Sequence, residues 1–511
     1  MGFGKRNARI LLAAACLIHL ILAGGLVLTN LPLVDEGLYG IPAYTLATTG
    51  KLQNHVVEPA GVPYFTGIGS ILYWMMPLGM VFQAAVFKVF GFSIFAQRAL
   101  SLSCGLGTLL AWFFAVRKLL PEAVAAFSCL LLSFDFLFCS LSSRGRADMI
   151  SLFFACVALA AYLNLRERYL TRALLLANVS CAISGLIHPN GGLAALASLI
   201  ITISYLDRKR IGRREVCAAA APYLISGLGL LAYIAIDPSL WIKQFVGNVL
   251  YRMPGGRFPI IRLITGEFSR YVSASDVTSL HDIRAFRLLI PVSYWAAAAG
   301  CLIFLRNCIP HLKWLLALLA GEVLCLVFFE GSKQGWYAVH TIPVLSTLLA
   351  VWLVFLWNKQ RKAARALAVI QVLIAFLALL SNAVEIRSEK YQRLYLPLIA
   401  FLNSHVYPRE LVFGRTELDY KLKCRACLRD DMYLGAISRR RPDFIVLDQD
   451  YVALIEKIGT RDKSFLVYVR NLLERSGYVE VYRNKAYRVV EKRELAELTS
   501  PSASPRGSPW N

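Results

Sequence analysis

The sequence predicts an all-α polytopic membrane bundle of about eleven transmembrane helices with a small C-terminal α/β extracytoplasmic domain, and three observations predict it. The composition is too apolar for a water-soluble chain: 57% of the 511 residues are hydrophobic and the mean hydropathy is +0.55, whereas roughly half of a soluble domain is apolar. The apolar residues fall in runs long enough to cross a hydrocarbon core, which takes about 20 helical residues. The Lys and Arg residues gather in short clusters between those runs, as in loops held on the cytoplasmic side.

A formal charge of +23 would point to nucleic acid in a soluble protein. Here the loop clusters carry most of that charge. No basic face interleaved with aromatics stands apart from the apolar runs, so nucleic acid is not an expected partner.

The first run, 10–29, follows Lys5, Arg6 and Arg9. A secretory signal has an apolar region of only about 7 to 15 residues and a small-residue cleavage site. This run would cover about 30 Å as a helix, so it reads as an uncleaved span with its basic end inside. The further spans are 99–116, 122–141, 149–165, 173–187, 191–206, 216–236, 288–305, 312–329, 336–357 and 366–380. The stretch 65–90 is broken by Pro77, several glycines and Gln83. If it crossed, the basic loops at 117–118, 166–172, 208–214, 306–313 and 359–365 would all move outside, against the charge rule. It is therefore expected to lie along the interface, with Tyr73 and Trp74 as interfacial aromatics. The protein is then placed in the plasma (inner) membrane with a cytoplasmic N-terminus and an outside C-terminal domain. The outer face receives 30–98, 142–148, 188–190, 237–287, 330–335 and everything after the last span.

The domains expected are a membrane part over 1–382, an extracytoplasmic α/β domain over 383–493 and a disordered tail over 494–511 rich in Pro, Ser and Gly. Strands are expected at 411–413, 443–447, 478–482 and 487–490, with an amphipathic helix at 463–476. Ten of the twelve cysteines lie in or beside apolar runs, where a thiol packs as a small apolar group. Cys424 and Cys427 stand in a polar stretch without the second pair or spaced histidines that zinc would need, leaving a disulfide or two free thiols.

Asp35 and Glu36 follow directly on the first run, and Tyr39 comes soon after. Carboxylates at a membrane exit are a functional expectation, because apolar surroundings penalise idle charges; a solvated loop start is the alternative. His55 and Glu58, further along the same loop, offer ligands to a divalent metal, against the simpler reading of a polar loop with an incidental His. Arg144, Arg146 and Asp148 stand at the mouth of a span, where Asp148 either N-caps the helix or joins Asp35 on one face. His188 lies in a His-Pro turn and is a helix connection or a partner for a substrate hydroxyl. Lys243, Arg252, Arg257, Arg262 and Arg270 crowd the side where the charge rule disfavours them. Guanidinium groups grip phosphate oxygens in pairs, so an anionic lipid or phosphate ligand is expected there. Lys333 precedes Trp336 and Tyr337, which read as interface anchors, with His340 one turn further in.

Taken in order, these residues resemble the GT-C glycosyltransferases. The resemblance rests on the Asp35-Glu36 pair after the first span, the stretch from Phe90-Gly91-Phe92 to Gln97-Arg98-Ala99-Leu100, and Arg144 with Asp148 before a span. The His188-Pro189 turn and Lys333, Tyr337 and Pro343 complete it. It covers residues 10–360 and comes nearest a bacterial group similar to dolichyl-phosphate-mannose protein mannosyltransferases and to the aminoarabinose and galacturonic acid transferases of lipid A. The resemblance implies a helical bundle whose first outside loop covers a membrane-level cavity. It also implies a polyprenyl-phosphate sugar as donor and inverting transfer to a hydroxyl of a lipid, glycan or protein. Asp35 then resembles the general base, Glu36 orients it or helps hold a cation, and Asp148 matches the second acidic position. Lys333 matches a residue close to the donor phosphate, joined by Arg144, Arg146 and Arg257. Tyr39, His188 and Tyr337 are expected to bind substrate, and the cofactor expected, where there is one, is a divalent metal on Glu36, His55 and Glu58. The chemistry is coherent: an oxocarbenium-like transition state sets a carboxylate opposite the leaving group, and a departing phosphate needs positive charge.

Two other classes compete. A multispanning transporter or lipid flippase predicts ionisable residues inside spans, with Asp135 and Glu322 the main candidates, and an internal repeat, which the sequence lacks. A scaffold presenting the C-terminal domain leaves the charged outer loops without a purpose.

Overall fold

The structure, a computed structural model, describes residues 5–252, 260–274, 284–359, 361–475 and 477–492. Arg257 and the expected tail fall outside these described residues. Among the described residues nine helices are long and apolar enough to cross a membrane, and a pair bent by 69°, Glu122–Ser133 with Phe136–Ser142, makes a tenth if it forms one span. The chain is a multi-pass membrane protein. The remaining expected span is the 17-residue helix Ile342–Asn358, shorter than the others.

The end of the bundle that faces the C-terminal unit is organised by α1 (Lys5–Thr29), α2 (Val34–Thr49), α3 (Pro77–Phe90), α4 (Ile94–Val116), α5 (Glu122–Ser133), α6 (Phe136–Ser142), α7 (Ala147–Leu165), α8 (Leu170–Ile187) and α9 (Pro189–Leu206). At 14 residues α3 is about 21 Å long, short of the roughly 30 Å of a hydrocarbon core; Pro77 supplies its fixed φ at the first turn. Tyr73 and Trp74 are buried in the protein instead of displayed at an interface. Gln244 explains this: its Oε1 accepts the backbone N–H groups of Tyr73 and Trp74 at 2.6 and 3.1 Å. Its Nε2 donates to the carbonyls of Thr66 and Ile71.

Between helices in a bilayer, close packing and interhelical hydrogen bonds replace the hydrophobic effect as the adhesive. Ser151 on α7 and Ser184 on α8 exchange hydrogen bonds at 2.8 to 3.0 Å. Gly192 on α9 lies so close to Gly185 on α8 that a side chain there would strike its backbone. Asp135 and Glu322 serve the same adhesive end. Asp135 caps α6 through Phe138 N at 2.9 Å and accepts Tyr294 Oη at 3.0 Å, while Glu322 accepts Ser198 Oγ at 2.8 Å.

Helix Lys362–Arg387 leads past residue 382 into the C-terminal unit, a five-stranded sheet of order β2-β1-β3-β5-β4. β1 (Val412–Phe413), β2 (Leu428–Arg429) and β3 (Phe444–Asp448) run parallel, and β5 (Tyr487–Lys492) and β4 (Tyr478–Arg483) add antiparallel. Two-residue β2 and helix Gln449–Gly459 are the elements the periodicity does not announce. Alternation puts Phe413, Ile445 and Leu447 against Tyr451 and Phe465. The other face, Val412, Phe444 and Val446, packs on Leu38, Val57 and Phe65 from the segment between α1 and α3. Cys424 and Cys427 form a disulfide.

Candidate active site

The two consecutive acids of α2 have different surroundings. Glu36 is fully buried and accepts four hydrogen bonds: Arg98 Nε at 2.7 Å, Arg98 Nη2 at 2.8 Å, Gly145 N at 2.9 Å and Leu33 N at 2.9 Å. Arg98, equally buried, spends its remaining donors on the carbonyls of Val27, Asn30 and Leu31, so all five are used. Burial pushes the Glu36 carboxyl up, but Arg98 and Gly145 outweigh it and hold the group below the usual carboxylate range. The pair ties the end of α1 and the start of α2 to α4 and to the turn before α7. Gln97 continues the knot, donating to Gly145 O at 2.8 Å and Glu36 O at 3.2 Å. Gly145 leaves room for it, since a Cβ there would strike the Gln97 side chain. The C-terminal domain closes the knot from above. Tyr420 Oη donates to Glu36 O at 2.9 Å and Thr416 Oγ1 to Val34 O at 2.8 Å, and Gly40 admits the Tyr420 hydroxyl where a side chain would collide.

Asp35 points the other way, with 34% of its side chain exposed. Its carboxylate is paired with Arg146, whose Nε also donates to Asp148 Oδ2 at 2.8 Å. The Arg146 guanidinium lies 4.8 Å from the Trp336 ring centre, which fixes its plane. Asp148 does not cap α7; it sits at the second helical position with its side chain turned to Arg146.

Asp35 and Arg146 line a cavity of about 830 Å³, counting the space open to solvent, under a roof of Arg415, Asp430 and Met432 from the C-terminal domain. Arg415 follows β1, Asp430 follows β2 and Asp448 ends β3, so the ends of three parallel strands converge on this roof. The carboxyl ends of parallel strands are where open α/β sheets receive ligands. Arg415 lies 3.4 Å from Asp430, and burial pushes Asp430 up and Asp448 up to about 6. A second chamber of about 1090 Å³ lies beside the first, with mainly apolar walls from Met76, Ile187, Leu193, Val249 and Phe329. The two share Tyr39, Trp74, Met75, Arg252 and Tyr337. Arg252 therefore stands at the waist, held by Asn248 Oδ1 at 3.1 Å and close to Tyr337 Oη at 3.4 Å.

Of the residues expected from sequence, Asp35, Tyr39, Arg146, His188 and Tyr337 line these chambers, with Asp148 one contact behind. Arg144 is buried against Ser140 Oγ and faces Trp336 at 5.7 Å. Lys333 lines neither chamber. Its left-handed backbone (φ 53°) turns the amine onto Glu267 at 3.2 Å and the carbonyl of Val327 at 2.9 Å. The expected metal set does not converge either. Glu36 is saturated by Arg98, His55 is exposed, and Glu58 pairs with Arg440. A different set does: Asp148, His188 and His340 bring ligand atoms within 4.8 Å of one another, all buried. Burial pushes both imidazoles below their ordinary value, His340 to about 4. Sequence reading passed over Arg252 within its basic group, His340 beside the aromatics, and Arg415 entirely.

Residues 76–241 match the family model described as dolichyl-phosphate-mannose-protein mannosyltransferase. No curated protein sequence matches the chain. Among solved structures, ArnT from Cupriavidus metallidurans, bound to undecaprenyl phosphate, is similar at 14% identity and a TM-score of 0.58, covering 94% of this chain and 97% of that one. The Archaeoglobus fulgidus oligosaccharyltransferase in its apo form is similar at 12% identity and a TM-score of 0.50, covering 97% of this chain and 75% of that one. At these identities the likeness speaks for the fold, and the chain has the GT-C glycosyltransferase fold.

Proposed function

We propose that the chain transfers a sugar, hexosyl or pentosyl, from a polyprenyl-phosphate donor to an acceptor hydroxyl of a lipid, glycan or protein, with inversion, on the outer face of the plasma (inner) membrane. The N-terminus is cytoplasmic and the C-terminal domain extracytoplasmic in this reading. The observation that carries it is the two-chambered cavity with a reachable carboxylate on one side and an arginine at its waist. The undecaprenyl phosphate bound by the similar ArnT supports the donor class.

The apolar chamber accommodates the polyprenyl chain, and Arg252 takes the donor phosphate. The acceptor enters the polar chamber beneath Arg415. Asp35 removes the acceptor hydroxyl proton as that oxygen attacks the anomeric carbon. The bond from that carbon to phosphate breaks with its electron pair going to the polyprenyl monophosphate, and Arg252 offsets the charge that develops. Arg146, held by Asp148 and Trp336, orients Asp35. Glu36 acts as a positioning residue, because every lone-pair direction it offers is already taken by Arg98 and backbone N–H groups.

The test is reconstitution of the full chain in liposomes with polyprenyl-phosphate sugars and an extract of envelope acceptors, read by mass spectrometry. A product heavier by one sugar, with release of polyprenyl phosphate, is expected. Movement of the labelled lipid between leaflets with no covalent product would favour a flippase and overturn the proposal.

A further inference from the structure

We infer that Asp148, His188 and His340 form a site for one divalent ion of the zinc class, built into the wall of the apolar chamber. The three come from separate elements: the first turn of α7, the junction of α8 and α9, and the end of the turn Gly335–His340. They are 0%, 7% and 3% exposed, and their ligand atoms lie within 4.8 Å of one another. Among the described residues Asp148 Oδ1, His188 Nδ1 and both ring nitrogens of His340 have no hydrogen-bond partner. Buried polar atoms left over around one point are an exception to the usual satisfaction of interior groups, and a cation would engage one oxygen of Asp148 and one ring nitrogen from each histidine together.

The surroundings are those of a metal site. Asp148 uses its other oxygen on Arg146 Nε at 2.8 Å, the kind of outer contact that orients a carboxylate ligand. The His188 ring lies 5.0 Å from Tyr337, which fixes its face. Gly191 clears the space for His340: a Cβ there would fall 2.7 Å from its Cε1. Two imidazoles and one carboxylate suit zinc or a neighbouring transition metal, whereas magnesium and calcium take oxygen ligands. Three protein ligands leave a fourth position for water or a phosphate oxygen. His188 lines the apolar chamber along with Arg252, so that position opens toward the leaving group. That placement rests on the proposed function, whereas the binding of the ion does not.

The decisive experiment uses the full chain in detergent, stripped with chelator and titrated with Zn²⁺ or Co²⁺ without any sugar donor. One ion per chain is expected by elemental analysis, and Co²⁺ should give visible bands of a tetrahedral nitrogen and oxygen site. His188→Ala and His340→Ala should each weaken Zn²⁺ binding at least about tenfold. Both should elute as the folded protein on gel filtration, and His55→Ala should leave the stoichiometry at one. No bound ion, thiolate charge-transfer bands that put the cobalt on cysteine, or undiminished binding in the His188→Ala/His340→Ala double variant would overturn the site. Sugar transfer measured separately on stripped protein distinguishes loss of this site from failure of the glycosyltransferase reading.

Discussion

Asp35 and Glu36 are neighbours in the chain and opposites in the fold. Glu36 is sealed in a knot with Arg98 and backbone amides, while Asp35 reaches a cavity and pairs with Arg146. The helical turn explains the difference. Successive positions on α2 face about 100° apart, so one acid is directed into the junction of α1, α4 and the turn before α7, and the other into the chamber. The lesson is that an acidic pair need not be a paired site. One carboxylate builds the frame and the other is left available for chemistry.

The comparison breaks most sharply at Asp35. Asp35→Asn should lower sugar transfer by about 10²- to 10⁴-fold, the span of a lost general base, with the thermal unfolding midpoint unchanged. A stability loss comparable to that of Glu36 variants would mean that both acids are structural. Glu36→Gln should do the reverse, leaving Arg98 charged and unpaired at a cost of about 3 to 5 kcal/mol. A denaturation series in detergent reads this directly. The double variant Glu36→Gln/Arg98→Met should recover part of the loss, since no buried charge is then left over. The sign of the pH dependence follows from the depressed Glu36 value: its folded value lies below the unfolded 4.5. Its stabilisation is therefore complete above about pH 4.5 and is lost as pH falls through the folded value.

The waist and the roof sharpen the comparison from the substrate side. Arg252→Gln should weaken use of the donor and Arg415→Gln use of the acceptor. Each should cost about 10- to 100-fold in the corresponding kcat/KM, the worth of a charge-assisted hydrogen bond. Steady-state kinetics with each substrate varied in turn separates the two. Equal effects on both substrates would remove the division into donor and acceptor chambers.

Much of this was legible in the sequence because it depends on composition and charge. The bundle, the small C-terminal sheet and the acidic pair follow from apolar runs, strand alternation and the charges between them. What could not be read are contacts between distant segments. Glu36 finds Arg98 more than a helix away in sequence, so the division of labour in the pair is invisible locally. His55 and Glu58 looked like ligands because they share a loop with Glu36, but the histidines that do converge are brought together by the ends of three separate elements. Arg252 was one of several arginines of equal promise until Gln244 fastened its segment to the loop at 66–74. Lys333 had the right neighbours in sequence, but a left-handed backbone and Glu267 take it out of the cavity.

The smallest effect tests how the domain above and the knot below are coupled. Tyr420 Oη reaches both Glu36 O and Gln97 Oε1, so Tyr420→Phe removes the hydroxyl while keeping the ring stacked 4.6 Å from Phe92. A buried hydrogen bond contributes about 0.5 to 1.5 kcal/mol, and the unfolding midpoint should fall by the corresponding few degrees. If the domain only rests on the membrane part, transfer should be unaffected at temperatures where the variant is folded. If instead it sets the position of α2, the hydroxyl loss should lower kcat while leaving donor KM alone, because Asp35 sits one residue before the backbone carbonyl that Tyr420 holds. We expect the second result: the two contacts through Tyr420 and Thr416 bracket Asp35 on α2, and loosening either frees the carboxylate to drift from the acceptor.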